Sequence, residues 1–83
     1  MEQIDVKALF GQRVRQLRKT RGRSQEDFAH HVGLDRSYMG GVERGERNIS
    51  LENTCLIAAG LEVSTEELFR SWGDVVARPP ADE

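Results

Sequence analysis

Four times along the chain a glycine is followed, within five residues, by a residue suited to capping a helix: Gly22 by Ser24, Gly33 by Asp35, Gly45 by Ser50 and Gly60 by Ser64. Glycine favours a helix end, and a Ser or Asp oxygen accepts a hydrogen bond from a backbone N–H of the turn that follows. This punctuation cuts the chain into short helical segments. None can bury its apolar side alone, so each must pack against the others. Apolar residues recur three or four apart, and no segment alternates every two residues as a half-buried strand does. The expected fold is all-α, a compact bundle of five helices.

The first helix is predicted from about Val6 to Arg21, capped by Asp5, with Val6, Phe10, Val14 and Leu17 on one stripe. Phe28, Ala29 and Val32 form the buried side of the second. The third runs from Arg36 to about Arg44 behind Asp35, with Met39 and Val42 inward. For the fourth, Leu51, Leu56, Ile57 and Cys55 are expected to supply the packing side, Cys55 as a small buried hydrophobe. Ser64-Thr65-Glu66-Glu67 has capping-box spacing and opens a fifth helix carrying Leu68, Phe69 and Trp72. Residues 1–72 read as one domain, and residues 73–83, with Pro79-Pro80, as a frayed tail.

The net charge of −2 argues at first against a nucleic-acid partner. The total conceals a split. Residues 1–50 carry ten Lys or Arg against seven Asp or Glu, whereas residues 51–83 carry two against seven. From Arg13 to Arg23 six basic residues occur without an acidic one. Arg15 and Lys19 in that run point away from the apolar stripe and are expected to be solvated. No apolar run approaches the ~18 residues a membrane span needs, and the N-terminus lacks a signal-peptide pattern, so a cytoplasmic protein with no membrane partner is expected. His30-His31 is not a metal pair, because adjacent helical residues point in different directions and no ligand spacing accompanies them. Without a nucleophile elbow, phosphate loop or metal cluster, no enzymatic activity, metal, cofactor or small-molecule ligand is expected.

The informative unit is Ser24 to Gly45: two short helices joined by a turn containing a glycine, with Ala29 and Gly33 small enough for a steep crossing. This is helix-turn-helix spacing, which holds the second helix proud of the surface. Its N-terminal side chains, Arg36, Ser37 and Tyr38, are then available to a DNA major groove.

The runs Ser24-Gln25-Glu26-Asp27-Phe28-Ala29, Val32-Gly33-Leu34-Asp35-Arg36-Ser37-Tyr38 and Val42-Glu43-Arg44-Gly45 resemble the XRE-type helix-turn-helix of lambdoid phage repressors and Cro proteins. The stretch continuing through Glu46-Arg47-Asn48-Ile49-Ser50 is most similar to restriction-modification controller proteins. The resemblance implies a sequence-specific transcriptional regulator, acting as a homodimer on a pseudo-palindromic operator in double-stranded DNA. It places Arg36, Ser37 and Tyr38 at base-reading positions, with arginine's fork suited to the two acceptors of guanine. Ser24, Gln25, Arg44, Arg47 and Asn48 fall at positions that approach the DNA backbone, and Arg47 and Asn48 lie in a loop that in the family also nears the operator centre. Arg18 and Glu43 match a structural ion pair between the first and third helices.

For the dimer surface, Ile49, Leu61, Val63, Leu68, Phe69 and Trp72 exceed what one small core needs, and Trp72 fits either that surface or the core. Gly40-Gly41 departs from relatives that carry polar base-reading side chains there. The pair either softens the helix or lets a backbone approach closely. The alternative reading of the whole chain is an antitoxin or protein-binding module presenting its acidic half to a partner.

Overall fold

The computed structural model describes residues 5–70 and Trp72. Five helices follow in order: α1 (Val6–Thr20), α2 (Gln25–Val32), α3 (Arg36–Glu43), α4 (Leu51–Leu61) and α5 (Thr65–Leu68). Each starts at the cap the sequence names. Asp5, Ser24, Asp35, Ser50 and Ser64 all hold extended backbone, and each side chain accepts from N–H groups of the first turn. No strand occurs among the described residues.

Val14, Phe28, Met39, Val42, Ile57, Leu61 and Leu68 are fully enclosed, so all five helices feed one core. On the area scale, each such side chain contributes about 1.5–3 kcal/mol relative to remaining exposed. Helix α1 crosses α3 at close range. A Cβ on Gly11 would stand 2.5 Å from the carbonyl oxygen of Glu43 and closer still to that of Val42. Only glycine permits that approach, which is the backbone contact that fixes the height of α3 on α1.

Helix α4 presents a different side to the core from the one expected. Thr54, Ile57, Ala58 and Leu61 are buried, while Leu51 is 81% exposed, Leu56 45% exposed, and Cys55 also lies on the surface. Successive residues of a helix turn by about 100°, so Leu56 and Ile57 cannot both face one core. Ile57 falls in register with Ala58 and Leu61, and Thr54 completes that stripe because its hydroxyl donates to the Ser50 carbonyl at 2.8 Å. A polar residue therefore takes an inward place, and two leucines are left outside.

Two residues assigned to a dimer surface, Leu61 and Leu68, are instead wholly inside the monomer core. Ile49, Val63, Phe69 and Trp72 are half-buried and pack against it. Helix α5 is one turn long, closing before Phe69. Phe69 stacks on Phe10 with ring centroids 5.6 Å apart, and Trp72 meets Phe69 edge-on at 4.9 Å, so Trp72 extends the monomer's aromatic cluster. The anticipated frayed tail, residues 73–83, lies outside the described residues.

Candidate nucleic-acid interface

The turn between α2 and α3 is set by Gly33, whose φ of +75° is a left-handed conformation. The Leu34 N–H returns to the Ala29 carbonyl at 2.9 Å, closing α2. Two residues later the Asp35 carboxylate accepts from the N–H groups of Ser37 at 2.9 Å and Tyr38 at 3.2 Å, so α3 starts without fraying. Arg36 and Ser37 therefore occupy the first helical positions, and both are exposed. The Arg36 side chain is 67% exposed and its guanidinium stands 3.7 Å from Glu26, a loose surface pair of the kind worth at most about 1 kcal/mol. It can be exchanged for another partner at little cost.

Behind this surface, α3 is clamped. Arg18 of α1 grips Glu43 with two hydrogen bonds, Nε to Oε2 at 2.7 Å and Nη2 to Oε1 at 3.0 Å, and both side chains are almost completely buried. Its third nitrogen donates to the Arg23 carbonyl at 2.8 Å. Gln25 joins from α2, its amide Nε2 donating to Glu43 Oε1 at 3.0 Å. One carboxylate thus receives groups from two neighbouring helices. Among the described residues no buried side-chain nitrogen or oxygen lacks a partner. A fully satisfied buried pair is worth little net, but removing one member leaves an uncompensated charge and costs about 3–5 kcal/mol.

The remaining residues divide between exposed and engaged. Tyr38 is half-buried: its hydroxyl accepts from Asn53 Nδ2 of α4 at 3.1 Å, and the Arg47 guanidinium carbon lies 5.6 Å from its ring centroid. The side chain links α3 to α4. The Gln25 side chain is likewise turned to Glu43, leaving the first-turn N–H groups of α2 as its route to an anion. Ser24 Oγ accepts from the Asp27 N–H at 3.0 Å. Arg44 is exposed and held by Glu46 through Nε at 3.0 Å and Nη2 at 3.2 Å. That hydrogen bond, aided by the charge of Arg47, holds the Glu46 carboxyl below the usual carboxylate range. Arg47 and Asn48 are exposed in the loop before α4.

The basic run of α1 has mixed fates. Arg15 and Lys19 are exposed, whereas Arg13 spans to the end of α5, donating to the Glu67 carbonyl at 2.9 Å, the Leu68 carbonyl at 3.3 Å and the Glu67 carboxylate at 3.1 Å. Arg13 and Asn53 are functional supports that sequence reasoning misses. Neither has a periodic or spacing signal, since each finds its partner 54 or 55 and 15 residues away respectively.

A helix-turn-helix domain model matches residues 9–72. The control protein C.MunI of a Mycoplasma species is 46% identical over 66 residues, spanning 78% of this chain and 89% of that protein. The control protein C.BamHI of Bacillus amyloliquefaciens is 42% identical over 66 residues, spanning 78% and 82%. Among solved structures, the restriction-modification controller protein C.AhdI from Aeromonas hydrophila aligns with a TM-score of 0.72 at 55% identity, covering 75% of this chain and 90% of that one. The controller C.Esp1396I, solved as a tetramer in complex with its natural 35 base-pair operator, aligns with a TM-score of 0.72 at 35% identity, covering 82% and 88%.

Proposed function

The chain belongs to the helix-turn-helix family that includes the restriction-modification control proteins, and we propose that it is a regulator of that kind, binding a pseudo-palindromic operator as a homodimer. The observation that carries this reading is the setting of Arg36 and Ser37: exposed at the first turn of a short helix whose other end is clamped by a buried carboxylate. A reading head of this kind is pre-organised, so little ordering entropy is lost when it meets DNA. Two copies would present two such helices to successive major grooves about 34 Å apart.

Arg36 is the principal base-reading group, with Ser37 beside it. Gln25 and Ser24 meet the phosphate backbone through the N-terminus of α2, Arg44 and Asn48 approach it from beyond α3, and Arg47 turns toward the operator centre. Tyr38 supports the loop that carries Arg47. The dimer surface is assigned to the outer face of α4, where Leu51, Cys55, Leu56 and Ala59 are exposed together. A second copy of the chain covers that apolar face. Residues 1–72 form the binding unit.

The protein acts by occupancy rather than by catalysis, within the cytoplasm; no helix among the described residues is long and apolar enough to cross a membrane. Selection of bound duplexes from a random pool tests the assignment. A two-fold symmetric consensus that retards the protein as a dimer supports it, whereas a monomer that enriches no sequence contradicts it.

A further inference from the structure

We propose that Gly40 and Gly41 act as seats for arginines that arrive from beyond the end of α3, and that Gly41 in particular is a specificity-determining position because it positions Arg47. The inference rests on the DNA-binding reading above and concerns which side chain serves the middle of the reading helix. Both glycines lie in α3 and both are covered, although neither has a side chain of its own to be buried.

The covering groups are polar. A Cβ on Gly40 would stand 3.0 Å from Arg44 Nη1 and 3.2 Å from Gln25 Oε1. A Cβ on Gly41 would stand 2.9 Å from Arg47 Cγ and 3.0 Å from its Nε. Arg47 therefore lies across the helix at the place a Gly41 side chain would occupy. One more contact holds it there, the Tyr38 ring 5.6 Å from its guanidinium carbon, and that ring is itself fixed by the Asn53 amide on the Tyr38 hydroxyl. Arg44 is held similarly, with its Nε and Nη2 on Glu46 and Nη1 above Gly40.

The consequence is a substitution of source. Where a side chain from mid-helix would project from the α3 backbone, this protein supplies a guanidinium from six residues further on, laid flat over glycine. Arginine's planar fork keeps its donors when the aliphatic stem is packed against a surface. Arg47 is exposed as a residue yet held over Gly41, so it is carried on the reading helix rather than free in a loop. The glycines cost intrinsic helix stability, which the arginine stems and the clamp at Glu43 offset.

Gly41→Ala separates this role from a structural one, because alanine is the better helix former. In the full chain, Gly41→Ala should raise the thermal midpoint or leave it unchanged, and weaken binding to the selected operator about 10-fold, within the range for loss of one good base contact. Affinity for an unrelated duplex should stay the same. Arg47→Ala should weaken operator binding at least as much, and adding Gly41→Ala to it should have no further effect. Equal operator affinity for Gly41→Ala and the parent overturns the proposal, as does a full additional loss in the Arg47→Ala background. A fall in thermal midpoint that accounts for the lost binding also overturns it. If the parent selects no operator, the functional reading fails and this inference fails with it.

Discussion

Arg36 and Glu43 open and close the eight-residue α3 and have opposite demands, one needing exposure and the other complete partnering. Arg36→Ala should lower operator affinity by about 10- to 100-fold, with dimerisation and thermal midpoint unchanged, as measured by titration of labelled operator and by sedimentation. Arg18→Met should instead unfold the protein more easily, by about 3–5 kcal/mol in a denaturant titration, because Glu43 would keep a buried charge with only Gln25 to satisfy it. Both roles could be read from sequence, since a capped helix start and a family motif locate them. The turning of Gln25 toward Glu43 and of Tyr38 toward Asn53 could not. An amide or a hydroxyl fits a phosphate or a neighbouring side chain equally well, and only the packed geometry chooses.

At the scale of elements, every helix start was legible because a cap is a local event, decided by one oxygen and the N–H groups of the next turn. The inward face of α4 was not. Its composition offers Leu51, Leu56 and Ile57, but the helix can align only the last of these with Leu61, and Thr54 becomes admissible through its bond to Ser50. The role of Gly11 is not legible for the same reason, since nothing in the sequence says that α3 will lie against it. Gly11→Ala should destabilise the fold by about 1–3 kcal/mol in spite of alanine's better helix propensity, checked by chemical denaturation. The short α5 is tied to α1 by Arg13 and Glu67. Hydrogen bonding from Arg70, with further help from Arg13, holds the Glu67 carboxyl below the usual carboxylate range. Its contribution to stability is therefore present above the ordinary carboxylate pKa and is lost as pH falls through the lowered value. Glu67→Gln should flatten the acid side of a profile of thermal midpoint against pH; an unchanged profile would remove this tie from the account.

For the molecule as a whole, the division of charge follows the division of labour. The half with the basic excess contains α1, α2, α3 and the Arg47 loop, and the acidic half begins with α4, whose outer face is apolar. An acidic excess in the half of the sequence that does not carry the reading helix tempers sequence-independent attraction to phosphate, so more of the binding rests on that helix. Leu56→Asp on the outer face of α4 should yield a folded monomer, seen as a halved mass in sedimentation with the helical spectrum retained, because that side chain is not in the core. Operator affinity should fall with the dimer.

The central claim is that two copies of α3 read symmetric half-sites through Arg36. Parallel selection of bound duplexes by the parent and by Arg36→Ala measures it directly. The account predicts a symmetric consensus with half-sites one helical turn apart, about 34 Å, from which Arg36→Ala loses the preference at one equivalent base pair in each half. The same consensus from both proteins, or one without two-fold symmetry, would contradict it.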